Sequence, residues 1–251
     1  MATVSANTWN RGIFLALRNL VHLIAAVHFW FGILFDFKYV YPPEDHPAYK
    51  PLTSFGGKFR YLTILGAIFQ AFYFTLCVVN DFIGTNEHHP KRPSKLRTFK
   101  DYIFATFAFP LAMNVAISFW SIYAIDRELI LPKSFESFFP HWLNHVMHTN
   151  IVIFILLELF TSYRQYPKRK TGFTGLLIFN ILYVIWIHII KYKSDRWVYP
   201  ILEVLSLPQR IGFIVFIGVF GISFYFVGEY LNNKIWANEL KLTKSSGKKH
   251  K

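Results

Sequence analysis

Six mostly apolar stretches, 12–35, 59–79, 102–125, 143–163, 173–190 and 211–231, take up about half of this 251-residue chain. About 20 such residues in a helix cross the hydrocarbon core of a bilayer, so each stretch can span one. The same helices in a soluble protein would need a polar shell to wrap them. Only 16% of the residues are charged, against about 25% in ordinary soluble domains. The expected fold class is therefore all-α: a polytopic membrane protein with six transmembrane helices. It forms a single membrane domain over 1–251, ending in a basic tail at 232–251. The first stretch is too long for a cleaved signal, and bulky His28, Phe29, Trp30 and Phe31 follow where small residues would be expected. It is read as an uncleaved first span.

The net charge of +13 in so apolar a chain argues for basic loops beside a membrane and against a nucleic-acid partner. By position, 16 of the 27 Lys and Arg fall on the side of the termini and of the second and fourth loops. Ten fall on the opposite side, and Arg18 lies inside the first span, where it can snorkel to the interface. The bias and the even number of spans place both termini in the cytosol. The last residues, Lys248-Lys249-His250-Lys251, form a dilysine address for the endoplasmic reticulum. A basic tail drawn to anionic headgroups, with residence in the plasma membrane, is the alternative. The single cysteine, Cys77, excludes an intramolecular disulfide and any multi-cysteine metal site.

Two loops on the non-cytosolic side are unusually apolar. One carries Leu129-Ile130-Leu131-Pro132 with Phe135, Phe138, Phe139 and Trp142, and the other Trp197-Val198-Tyr199-Pro200-Ile201-Leu202. Such residues form an aromatic belt at the headgroups or a lid over a site near that surface, and the sequence does not separate the two.

Ionisable groups inside spans are costly and point to function. The richest set opens the fourth stretch, where His141, His145 and His148 recur at helical spacing on one face. Interhelical hydrogen bonding, a general base and a metal site all fit that spacing. The metal alternative needs histidines converging from several segments, as in multi-pass di-iron lipid oxidases. His22, His28, His46, His88, His89, His188 and His250 are scattered, so the base is favoured over the metal and no cofactor is expected. For the nucleophile there is no G-x-S-x-G elbow, and Cys77 lies toward the cytosolic end of its span. His148 lies five residues into the fourth stretch and Thr63 four into the second, roughly 6–8 Å deep from the same side. A hydroxyl and an imidazole in contact form a minimal activated nucleophile. A membrane-helix threonine also bonds back to its own carbonyl at i−4, and Ser121 and Thr149 lie at comparable depth.

The segment Phe55-Gly56-Gly57-Lys58-Phe59-Arg60-Tyr61-Leu62-Thr63 resembles the androgen-induced / androgen-dependent TFPI-regulating protein family. So do Ala108-Phe109-Pro110, Phe119-Trp120, Asp126-Arg127-Glu128 and Pro132-Lys133. The most distinctive block is Pro140-x-Trp142-Leu143-Asn144-His145-x-Met147-His148-Thr149. Tyr166-Pro167, Thr171-Gly172, Trp197-Val198-Tyr199-Pro200 and Gly228-Glu229-x-Leu231-Asn232 follow in order, so the match runs collinearly from about Phe55 to Trp236. The resemblance implies a multi-span threonine hydrolase acting on fatty-acid esters of hydroxy fatty acids. By it the nucleophile maps onto Thr63 and the histidine onto His148. Phe59 stands where the family often has Trp.

In the expected mechanism His148 takes the proton as Thr63 attacks the ester carbonyl, and water then releases the acyl-threonine. Phe69, Phe72 and Phe74 are expected to wall the acyl chains. Asn144 or His145 would orient the imidazole or donate to the oxyanion. Glu158 lies too far along the span to join His148. Asp126 is expected to pair with Arg127, and Asn114, Glu158 and Glu229 serve equally as ties between helices. The competing classes are a non-enzymatic multi-pass membrane regulator and a His-cluster metal-dependent lipid-modifying enzyme. The expected partners are the ester substrate and membrane lipids, and the sequence leaves the oligomeric state unknown.

Overall fold

In the computed structural model, which describes residues 2–46, 48–84, 93–238 and 240–241, the chain is a bundle of six long helices with no strand among the described residues. The helices capable of crossing a membrane are Gly12–Tyr39, Leu62–Ile83, Lys95–Ile125, His141–Thr161, Arg169–Ser194 and Leu207–Ile235. They are referred to below as the first to sixth spans. Polytopic architecture is thus as the apolar runs require, with shifted edges. The first span continues to Tyr39, and the second begins only at Leu62. Phe59 and Arg60 fall in a short 3-10 turn, Gly57–Arg60. His88, His89 and the dilysine tail lie outside the described residues.

The third span is the most enclosed, and the fifth and sixth the most open to lipid. Helix starts carry ordinary signals: Ser94 caps the third span by accepting from Arg97 N, and Ser206 with Gln209 forms a capping box on the sixth. In the third span Pro110 brings no N–H of its own and crowds the preceding turn. The helix answers with a π-turn at Phe104–Ala108. Gln70 of the second span donates to the Ala108 carbonyl at 2.7 Å. A backbone group loosened by the bulge is thereby satisfied without water.

A second π-turn, Val146–Asn150, interrupts the fourth span without any proline. Gly32 of the first span makes room for it, since a Cβ there would lie 2.8 Å from Val146 Cγ1. This turn changes the expected register of the three histidines. His148 turns into the bundle and is buried, while His141 and His145 stay exposed. The common histidine face expected from the 3.6-residue period does not form, because the π-turn begins at Val146, directly after exposed His145, and its wider turn rotates His148 away from the face of His141 and His145.

At the opposite end of the bundle a buried ion network joins three spans. His22 sits between Asp81, 2.6 Å from Nδ1, and Glu158, 2.7 Å from Nε2. Glu158 also accepts from Tyr73 at 2.6 Å, Ser162 at 2.9 Å and Arg164 at 3.2 Å. Glu158 is therefore a tie between helices. Arg18 does not snorkel: it is buried and paired with Asp81 at 3.5 Å, because a fixed carboxylate inside the bundle is nearer than the headgroups. Asp126 does not pair with Arg127. Its carboxylate caps the following turn by accepting from Glu128 N at 2.9 Å, and Arg127 reaches Glu136 instead. Glu229 binds Arg169 at 2.9 Å, joining the ends of the fifth and sixth spans.

Candidate active site

Thr63 is the second residue of the second-span helix. The turn that delivers it is stapled by polar side chains. Arg60 donates to the carbonyls of Gly57 at 2.9 Å, Ser54 at 3.0 Å and Phe55 at 2.7 Å. Lys58 donates to the carbonyls of Asp36 and Val40 and pairs with the Asp36 carboxylate at 3.0 Å, closing the C-terminal end of the first span. Burial lowers the pKa of both Lys58 and Arg60. The Leu62 amide donates to the hydroxyls of Tyr183 at 3.0 Å and Tyr199 at 2.9 Å. The next amide, that of Thr63, also lies in the first helical turn, where N–H groups have no partner within their own helix. It is a backbone donor beside the Thr63 hydroxyl, which the sequence did not suggest.

Thr63 Oγ1 lies 3.1 Å from His148 Nε2. The other ring nitrogen, Nδ1, faces the backbone carbonyl of Asn144 at 3.1 Å and its Oδ1 at 2.7 Å. Phe119 stacks on the imidazole with centroids 3.6 Å apart at 12°, and Trp120 donates to the His148 carbonyl at 3.2 Å. Ring plane and position are therefore fixed from both sides. The π-turn is what exposes these carbonyls to side-chain partners.

Of the residues singled out in the sequence, Thr63, His148 and Asn144 come together. His145 does not: its Nδ1 meets Thr149 at 3.0 Å and its ring stacks on Trp120 at 5.6 Å. That bond also engages the Thr149 hydroxyl, and Ser121 faces outward. Among the described residues one group could hold a metal ion, His22, Cys77 and Glu158, with ligand atoms within 4.8 Å of one another. It lies inside the ion network, where His22 and Glu158 bond each other directly. Arg164 beside it further disfavours a cation.

A cavity of about 470 Å³ opens over the pair, lined by Thr63, His148, Phe119, Met147 and Ile64 below. Above, its walls include Leu131, Phe135, Phe138 and Phe139 from one apolar loop and Trp197, Val198 and Tyr199 from the other. Both loops thus roof the site. The expected aromatic wall is elsewhere: Phe74 packs on Phe29 and Phe154, Phe69 on Phe107, and Phe72 on Phe99. Those three rings lie deeper along the second span than the cavity reaches. Asp36, Lys58, Tyr61 and Arg196 also line it and were not singled out. Lys58 and Tyr61 lie within the Thr63 segment and Arg196 adjoins Trp197-Val198-Tyr199-Pro200, whereas Asp36, on the first span, had no such signal. Burial raises the Tyr61 phenol to about 12, so it stays a protonated donor. A second cavity of about 680 Å³ is lined by Lys95, Arg97, Lys168, Tyr102 and Tyr166, with no histidine among its described lining residues.

The chain is 36% identical over 202 residues to the androgen-induced gene 1 protein of Homo sapiens, covering 78% of this chain and 84% of that one. It is 35% identical over 184 residues to the androgen-dependent TFPI-regulating protein of Mus musculus, covering 72% and 78%. The Homo sapiens protein of that name is 32% identical over 210 residues, covering 83% and 90%. No solved structure matches. Residues 17–233 match the family described as FAR-17a/AIG1-like protein, a stretch that holds all six spans apart from short terminal portions, and the chain belongs to that family.

Proposed function

We propose that this membrane protein is an intramembrane ester hydrolase in which Thr63 is the nucleophile and His148 the general base. The observation that carries this is the 3.1 Å contact between Thr63 Oγ1 and His148 Nε2 at the floor of an apolar, loop-roofed cavity. His148 Nδ1 faces a backbone carbonyl, which can only accept, so Nδ1 holds the proton and Nε2 presents a lone pair to the hydroxyl. As Oγ1 attacks the ester carbonyl carbon, its proton passes to Nε2. The tetrahedral oxyanion is met by the Thr63 amide in the first turn at the positive end of its helix. Collapse breaks the bond to the alcohol oxygen, which takes the proton from Nε2 and leaves as the hydroxy acid. Water then gives its proton to Nε2 and attacks the acyl-threonine, and as the fatty acid departs Oγ1 takes that proton back, regenerating Thr63 and the neutral imidazole.

The substrate class proposed is a fatty-acid ester of a hydroxy fatty acid. Apolar walls accept the two chains, and the site lies within the first turns of two spans, where an ester near a headgroup would sit. The excess of Lys and Arg on the other face orients both termini to the cytosol. The site then opens to the non-cytosolic leaflet, and Lys248-Lys249-His250-Lys251 would hold the enzyme in the endoplasmic reticulum. The test is fatty-acid release from such an ester by the purified wild type, Thr63→Ala and His148→Ala. Release by the wild type and its loss in both variants is expected. Release that persists in Thr63→Ala overturns the nucleophile, and no release by any form favours a non-enzymatic regulator.

A further inference from the structure

Two cations line the cavity above Thr63, and they differ in what they already hold. Lys58 is buried, with its ammonium committed to the Asp36 carboxylate and to two backbone carbonyls. Arg196 is exposed at the cavity mouth, and no described group bonds its guanidinium. The nearby cation Arg210 is occupied: it donates to the carbonyls of Leu202 at 2.7 Å and Leu205 at 2.8 Å and covers the Trp197 ring. Glu203, the lining acid closest to Arg196 in sequence, accepts from Trp197 N at 2.6 Å and faces Lys191 at 4.0 Å. The mouth therefore carries one positive charge with five unassigned donors, in the planar array that binds a carboxylate through two hydrogen bonds.

Its position relative to the nucleophile is set by the backbone. The Tyr199 hydroxyl accepts from Leu62 N at 2.9 Å, the amide next to that of Thr63. Arg196 is three residues from Tyr199, a reach of at most about 10 Å along the chain. A molecule with its ester at Thr63 and an apolar tether of a few carbons would put an end group within range of the guanidinium.

We propose that Arg196 binds the free carboxylate of the substrate at the cavity mouth while the ester descends to Thr63. This rests on the hydrolase reading above and sharpens it. It makes Arg196 a specificity-determining residue that favours esters with one ionised acid over neutral esters of similar bulk. An interfacial arginine serving only to anchor the loop at the headgroups would treat the two alike.

The experiment compares one branched fatty-acid ester of a hydroxy fatty acid with its methyl ester, which removes the charge and keeps the scissile bond. Purified full-length wild type, Arg196→Gln and Arg196→Lys are assayed on both in the same detergent or vesicle. The wild type is expected to prefer the free acid. In Arg196→Gln the ratio of kcat/KM for acid over methyl ester falls about tenfold, through KM for the acid. Arg196→Lys recovers part of the ratio. A ratio that is the same in wild type and Arg196→Gln overturns the carboxylate assignment and leaves the hydrolase reading standing. Wild type that cleaves neither ester overturns both.

Discussion

His148 Nδ1 faces two oxygens of Asn144, the side-chain Oδ1 at 2.7 Å and the backbone carbonyl at 3.1 Å. The two acceptors fix the same tautomer by independent means, because the carbonyl survives any change of side chain. Asn144→Ala should therefore weaken the orientation of His148 without abolishing it. The expected result is a fall in kcat of about tenfold, at the lower end of what loss of an orienting partner causes in metal-bound imidazoles, with little change in KM. Steady-state kinetics on the branched ester checks it. A loss as deep as that of His148→Ala would mean that Asn144 does more than orient.

The Thr63–His148 pair makes a separate statement about covalent chemistry. A fluorophosphonate should label the wild type at Thr63, and Thr63→Ser, which keeps the hydroxyl, should also be labelled. Thr63→Ala should be blank. His148→Ala should slow labelling by about 10³-fold or more, as for residues that act as one unit. Labelling that persists in Thr63→Ala would place the reactive group elsewhere.

Gly32 bears on the same site from the other side of the bundle. A methyl group at this position would lie 2.8 Å from Val146 Cγ1 and 3.6 Å from Leu143 Cδ1. Val146 opens the π-turn that carries His148, and a β-branched side chain has little freedom to step aside. Gly32→Ala is expected to cost about 1–3 kcal/mol through overpacking and to lower kcat as the turn shifts. Thermal unfolding and turnover measured on one preparation separate the two effects. Turnover that stays at the wild-type level would show that the turn absorbs the extra methyl.

These relationships mark the limit of what the chain discloses before folding. Six apolar runs made the spans legible, since hydrophobic length is a property of consecutive residues. Counting along two helices put Thr63 and His148 at one depth, together with Ser121 and Thr149, and the family resemblance singled out the pair. The π-turn was not: Val146, His148, Thr149 and Asn150 are weak helix formers, but nothing in their order specifies an inserted residue, and the space it occupies lies across the bundle beside Gly32. A strict 3.6-residue period therefore put His145 beside His148, although the fold separates them. Arg18 with Asp81, and His22 with Glu158, are likewise partners across 63 and 136 residues. No local pattern announces such pairings.

Arg127 and Glu136 clasp the ends of the loop that roofs the cavity. The hydrogen bond from Arg127, with its charge, holds the Glu136 carboxyl below the usual glutamate range. A depressed carboxylate stabilises the folded form above its unfolded pKa, and that contribution is lost as pH falls through the folded value. The clasp should thus hold at neutral pH and release only below about pH 4.3, the ordinary glutamate value. Both groups are solvated, so high salt should weaken it. Limited proteolysis within residues 126–140 is expected to be faster for Glu136→Gln than for wild type at pH 7. The two rates should converge in strong acid, where the wild-type carboxyl is protonated. Equal rates at pH 7 would show that packing of the phenylalanines alone holds the roof.

Glu158 answers a different question, whether the ion network supports the fold or the chemistry. Its carboxylate is met by His22, Tyr73, Ser162 and Arg164, all at the far end of the bundle from the Thr63–His148 pair. Arg164 is completely buried and lies over the Phe104 ring at 3.5 Å, so it has no route to water when the carboxylate is removed. Glu158→Gln keeps the shape and some of the hydrogen bonds but leaves that guanidinium without its counter-charge. Breaking a buried pair from one side costs about 3–5 kcal/mol, and a marked fall in Tm is expected in detergent. The folded fraction should still hydrolyse the branched ester with a KM near that of wild type, because none of the described residues lining the cavity bonds to the network. Wild-type Tm with lost turnover would reverse the assignment and tie the network to catalysis.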